Sequence, residues 1–307
     1  MNATLLIGAA ALMTSVLAAG ELDDRLLRTF GTDAKFVYGM DLDRYGNSAL
    51  RDFFPIQANE NIAELQKGGA KILEIVIEED SDTSGSKSLA IFRGALSPLY
   101  FTPPVAQPDA APINYKGVLI LAGSDQSIAV LDPNIAIAGT FRALQEAIDR
   151  WQQEKTSLDP WLSNVRDLSR RYDAWFLVRN PLEPAANWPL KPESVYARNL
   201  IEAVEEIHGG ITFGSSIELH LDAVTKSADD AETAAAIGRW LPGFMQLQAR
   251  SDPQEVVLEL AEDLIVLTNG KVASLSFRLS ESRLRERADA ELQKQAAEKE
   301  ARNARRF

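Results

Sequence analysis

Apolar positions along this chain follow two rhythms, and the switches between them predict its elements. Alternation at period two marks strands, because successive side chains of an extended chain point to opposite faces. Lys71–Glu79 (KILEIVIEE) is the clearest case, with β-branched Ile72, Ile75 and Ile77. Further strands are predicted at Lys35–Leu42, Ser88–Ala95, Gly117–Ala122, Ser127–Leu131, Ile135–Ala138 and Ala174–Arg179. Ile211–Val224 reads as one long strand. Leu264–Leu267 and Val272–Leu279 form a hairpin closed by Asn269-Gly270, a dipeptide suited to tight turns.

Spacing of three and four marks helices. Asn59–Lys67 is predicted as a helix stopped by Gly68-Gly69. Thr140 is a fitting N-cap for a helix through Trp151, apolar at Phe141, Leu144, Ile148 and Trp151. Pro160–Arg171 reads as helical. Glu193–Ile207 is expected as a helix with Val195, Leu200, Val204 and Ile207 on one face. Ser227 opens another, in which Pro242 is expected to introduce a kink. Five prolines between Ser97 and Pro112 predict an extended surface loop.

Short matches recur at a spacing near 140 residues. Asp33-Ala34-Lys35-Phe36 returns as Asp173-Ala174-Trp175-Phe176, and Gly68-Gly69 returns as Gly209-Gly210. Val130-Leu131 running on to Phe141-Arg142 is matched by Val266-Leu267 running on to Phe277-Arg278. Three matches in the same order predict a duplication. The expected fold class is therefore α+β: two related repeats, each an antiparallel or mixed sheet with helices on one face, as in ferredoxin-like folds. The expected division is a signal peptide at 1–20, a first repeat at 21–156 and a helical linker at 157–172. A second repeat at 173–284 and a charged helical or disordered tail at 285–307 complete it.

Thr4–Ala19 is uncharged and is followed at once by Glu21, Asp23 and Asp24. The run is short for a membrane span, which wants about 20 apolar residues, and Ala18 and Gly20 suit a cleavage site. The expectation is export to a periplasmic or secreted location, although the run lacks a preceding Lys or Arg. No stable membrane insertion is expected after cleavage.

Charge narrows the partners. The net charge is −12, and residues before Glu281 carry a net −14. So acidic a body repels phosphate backbones, which argues against nucleic acid. With no cysteine, thiolate metal sites and cysteine nucleophiles are excluded.

Candidate chemistry is sparse. Asp80, Asp82 and Ser84, with Gly85 following, match the first half of a calcium loop, but Ile91 occupies the position where a bidentate carboxylate completes the shell. The reading is a polar hairpin loop, with calcium the ion it would take and no cofactor expected. Ser84-Gly85-Ser86-Lys87 fits Ser-x-x-Lys, yet in a loop and without the companion motifs of acyl-transfer enzymes. Glu218, His220 and Asp222 alternate along one strand face and form the second metal candidate, against the simpler reading of a solvated face. His208 is placed at a helix end before Gly209-Gly210, where a cation suits the helix dipole.

Four segments, SLAIFRGAL, YKGVLILAG, AVLDPNIAIAGTFRALQEAIDR and DDAETAAAIGRWLPGF, give the chain a loose resemblance to duplicated exported bacterial proteins of unknown function, over Asp33 to Leu284. The resemblance implies a packing plan and no activity. The functional expectation is a non-catalytic protein that binds an unknown protein or small-molecule ligand, or serves the envelope. The alternative is an extracytoplasmic hydrolase using carboxylates or a weakly bound metal.

Overall fold

The computed structural model describes residues 22–32, 34–53, 56–80, 85–97, 112–123, 126–153, 158–181, 202–248, 261–290 and 293. In chain order the elements are α1 (Asp24–Thr29), β1 (Ala34–Asp41), α2 (Leu42–Asn47), a 3-10 turn (Ala49–Phe53) and α3 (Ile56–Lys67). There follow β2 (Ala70–Asp80), β3 (Gly85–Gly94), β4 (Pro112–Tyr115), β5 (Val118–Ala122), β6 (Ser127–Asp132) and β7 (Ile135–Gly139). Then come α4 (Phe141–Gln152), α5 (Pro160–Arg171), β8 (Ala174–Arg179), β9 (Val204–Thr212), β10 (Ser216–Thr225) and α6 (Ala228–Gln248). The series closes with β11 (Ala261–Asn269), β12 (Val272–Ser280) and a helix, α7, at 281–290.

The chain divides into two units, Met1–Asp43 with Ala63–Asn180, and Arg44–Ile62 with Pro181–Phe307. In the first, eight strands run in the order β8-β1-β2-β3-β7-β6-β5-β4, each ladder antiparallel. In the second, four strands run β11-β12-β10-β9, again antiparallel.

This corrects the expected fold class. Eight strands against four are not two copies of one plan, and neither order is ferredoxin-like. The matched segments explain the error. Asp33 and Asp173 precede β1 and β8, which pair directly with each other in one unit, Gly39 opposite Trp175. Gly68-Gly69 ends α3 with Gly69 at φ +87°, whereas Gly209-Gly210 lies inside β9. Phe141 opens α4, whereas its match Phe277 lies in β12. Apolar strands of similar length resemble one another because they answer the same pleated environment, and three such matches can arise without common descent.

The first unit has a core on one sheet face. Val37, Val76, Leu89, Ile91, Ile120, Ala129, Ile137, Trp175 and Leu177 pack there against Leu26, Leu27 and Phe30 of α1 and its flank, Leu144, Ile148 and Trp151 of α4, and Trp161, Leu162, Val165 and Leu168 of α5. Thr140 caps α4 as predicted, accepting from the Ala143 amide at 3.3 Å. Ion pairs lie within this face. Arg93 Nε donates to Glu74 Oε1 at 2.9 Å, both side chains buried. Arg150 joins Glu78 to the end of α1. Gly31, at φ +74°, lies so close to Glu78 that a Cβ would stand 2.4 Å from its Oε1.

In the second unit, α6 packs on β10, β11 and β12, with Ala231 and Ala235 against Ala273 and Val266. Ser227 caps α6 as predicted, accepting from the Asp230 amide at 3.1 Å. The helix predicted at Glu193–Ile207 is corrected at its end: residues 204–207 begin β9. The strand predicted over Ile211–Val224 is a hairpin turning between Thr212 and Ser216. In α7, Leu284 and Ala288 are buried, one turn apart, so that helix has an apolar edge. Among the described residues no helix is long and apolar enough to cross a membrane.

Candidate functional site

Two surfaces carry the chemistry of this molecule, one polar and one apolar. The polar one lies on the face of the second unit's sheet opposite α6. Alternation puts Glu206 and His208 of β9 on that face, with Glu218, His220 and Asp222 of β10 and Ser274, Ser276 and Arg278 of β12. The register sets Asp222 opposite both His208 and Ser274, and His220 opposite Gly210 and Ser276. Gly209 allows the strands this approach, since a Cβ there would stand 2.1 Å from the His220 carbonyl oxygen.

Asp222 is the centre. His208 Nε2 stands 3.5 Å from its Oδ2, His220 Nε2 3.1 Å from its Oδ1, and the Ser274 hydroxyl donates to Oδ1. On its other side His208 Nδ1 lies 2.9 Å from Glu206 Oε1. Hydrogen bonds to Asp222 and Glu206 outweigh burial and push the His208 imidazole up to about 9, so it is a cation at neutral pH. Burial alone would raise Asp222, but the bonds from His208 and Ser274, with His220 beside it, hold its carboxyl well below the usual range.

This arrangement is poor at acid–base catalysis. A general base needs a free lone pair near neutral pH, and His208 is protonated with both nitrogens engaged. A serine nucleophile needs its proton taken by a neighbouring base, but Ser274 directs its proton to a carboxylate that resists protonation. The network instead fastens three strands together.

Of the sequence candidates, His220 and Asp222 do meet. Glu218 turns to the opposite strand, where Arg278 Nη2 is 3.1 Å from its Oε1. Among the described residues no three His, Asp or Glu side chains are grouped to hold a metal. Asp80 ends β2 opposite Gly85, and Asp82 and Ser84 lie outside the described residues. His208 sits in mid-strand and not at a helix end. Its partners Glu206 and Ser274 escaped the sequence reading, and the signal that could have found them is the alternation Glu206-His208-Gly210, masked by the helical spacing of Val204 and Ile207.

The apolar surface is the second face of the first unit's sheet. Strand alternation and register place Phe36, Tyr38 and Met40 of β1 beside Ile77, Ile75 and Leu73 of β2. Val178, Phe176 and Ala174 of β8 flank them on one side. On the other, Ala90 and Phe92 of β3 lead to Ala138 and Ala136 of β7, then Ile128 and Val130 of β6, then Leu121 on β5. Leu119 continues the β5 row. None of these positions carries a charge. Phe36, Tyr38, Leu73, Ile75, Ile77 and Phe176 are partly buried, Leu119 and Val130 are exposed, and Met40, Phe92, Ala136, Ala174 and Val178 on the same face are buried.

No family model matches the chain, and no curated protein matches it. Solved structures do. Crystal form III of TP0453, a bacterial protein, aligns with a TM-score of 0.51 at 9% identity, over 84% of this chain and 95% of that one. Crystal form IV of TP0453 aligns at 0.52 and 10% identity, over 86% and 95%. At such identity the likeness concerns the fold.

Proposed function

We propose that this is an exported, non-catalytic binding protein whose first unit takes an apolar small-molecule ligand on the second face of its sheet. The observation that carries the reading is that uncharged face, on which Phe36, Tyr38, Leu73, Ile75, Ile77 and Phe176 stay partly open and Leu119 and Val130 exposed, beside buried Met40, Phe92, Ala136, Ala174 and Val178. A sheet whose two faces are both apolar needs cover on both; helices α1, α4 and α5 serve one, and the second is covered over part of its extent. Exposed apolar side chains grouped as Leu119 and Val130 are, 53% and 41% exposed, mark interaction sites in folded proteins. Burial there contributes about 25 cal/mol per Å² of apolar area, with no charged group among the named positions to select an ionic substrate. The occupied state of the His208–Asp222 network favours binding over hydrolysis. The leader-like pattern of residues 1–20 supports export.

Native and denaturing mass spectrometry on protein recovered from the extracytoplasmic fraction tests both parts. The denaturing mass is expected to correspond to a chain starting near Glu21; an intact Met1 on protein recovered only from cytoplasm sinks the export claim. The native mass is expected to include an apolar adduct removed by organic extraction. A ligand-free mass, together with no binding of an apolar fluorescent probe by the extracted protein, overturns the binding claim.

A further inference from the structure

The first described residues enter the core of the first unit at once. Leu22 is fully buried, and Leu26, Leu27 and Phe30 join it there. Side chains from elsewhere hold α1 at both ends. Arg166 of α5 pairs with Asp24, and Arg150 of α4 donates to the Thr29 carbonyl oxygen at 2.8 Å. Arg25 reaches the other way, its guanidinium 3.8 Å from the centre of the Trp151 ring and its Nε donating to the Trp151 carbonyl oxygen. At the start of the helix, the Asp23 carboxylate accepts from the Leu26 amide at 2.7 Å and its carbonyl from the Leu27 amide at 3.0 Å.

α1 has six residues. Isolated helices shorter than about 12 residues are marginal in water, so this stretch is helical because it is docked. It has two states, one docked and buried, the other undocked and open to an enzyme. A chain cut near Glu21 has Leu22 as its second residue. An enzyme that cuts a chain must grip the backbone on both sides of the bond, so burial and hydrogen bonding there decide its access. With Leu22 seated and Asp23 capping α1, the residues just after the junction are already engaged. We infer that leader removal and docking of α1 exclude each other: the cut precedes closure of the first unit's core, and a chain that folds first keeps its leader. The inference rests on residues 1–20 being a leader, and adds the order of its removal relative to folding.

The test uses the full chain, Met1 to Phe307, and a purified signal peptidase in detergent micelles. Diluted from urea directly onto the enzyme, the chain is expected to lose its leader. Refolded beforehand, it is expected to be cut at least about 100-fold more slowly, because only transient opening of α1 exposes the junction. A flexible spacer of about six Gly and Ser residues inserted between Gly20 and Glu21 frees the junction and leaves α1 unchanged. The refolded spacer variant is expected to be cut as fast as its own unfolded form, with a thermal melt matching the wild type to show that its core is intact. Equal cutting of refolded and unfolded wild type overturns the inference. So does a spacer variant that is cut when unfolded and resists when refolded. A wild type cut in neither state overturns the leader reading, and the inference with it.

Discussion

Arg150 Nη2 lies 2.8 Å from Glu78 Oε1 and 2.8 Å from the carbonyl oxygen of Thr29. One guanidinium thereby joins α4 to a carboxylate on β2 and to the last residue of α1. Glu78 is buried, and Arg150 is one of the partners of its negative charge. Breaking a buried pair by removing one member costs about 3–5 kcal/mol, because the other charge is stranded. Arg150→Met is therefore expected to lower the unfolding free energy by about 3 kcal/mol, measured by urea denaturation. Adding Glu78→Gln should return part of the loss. If the double variant is no more stable than Arg150→Met, the stranded charge is not the cause.

The His208–Asp222 contact predicts a pH dependence with a definite sign. The folded imidazole titrates at about 9, above its ordinary 6.5. Its contribution is therefore fully present below 6.5 and is lost as pH rises through 9. Asp222, whose carboxyl is depressed, contributes above its ordinary 3.8 and loses that contribution as pH falls toward its folded value. The melting temperature is expected to fall between pH 6.5 and pH 9.5 in the wild type. His208→Gln should melt lower at pH 6 and show a flatter profile over that range. Equal slopes in the two proteins would refute the assignment.

Gly39 faces Trp175 across the β1–β8 ladder, and a Cβ at Gly39 would stand 2.4 Å from two atoms of the indole ring. Gly39→Ala must therefore shift Trp175 within a packed core, at about 1–3 kcal/mol for overpacking. A destabilisation in that range with altered tryptophan emission is expected. A variant as stable as the wild type would mean that the indole has room to move.

Thr140 caps α4 through its hydroxyl. Thr140→Ala is expected to cost about 1 kcal/mol, and Thr140→Ser much less, since serine keeps the acceptor. Chemical denaturation of the two variants side by side separates the lost hydrogen bond from the lost methyl group.

Much of the first unit was legible from pattern alone. β2, β5, β8 and α4 follow from local spacing and capping, because alternation and the 3.6-residue period are imposed by backbone geometry before any tertiary contact forms. The Asn269-Gly270 hairpin is legible for the same reason, with Gly270 at φ +56° in the turn. β9 was not. Val204 and Ile207 stand at helical spacing, and only the ladder with β10 converts that stretch to a strand, since pairing satisfies its backbone and Gly209 admits the close approach. The site shows the same limit. The row Glu218-His220-Asp222 is a property of one strand and could be read in advance. That Asp222 meets His208 and Ser274, whereas Glu218 leaves for Arg278, is a property of register between strands. Register is fixed by which faces are buried and how the turns close, and no single strand's sequence holds that information.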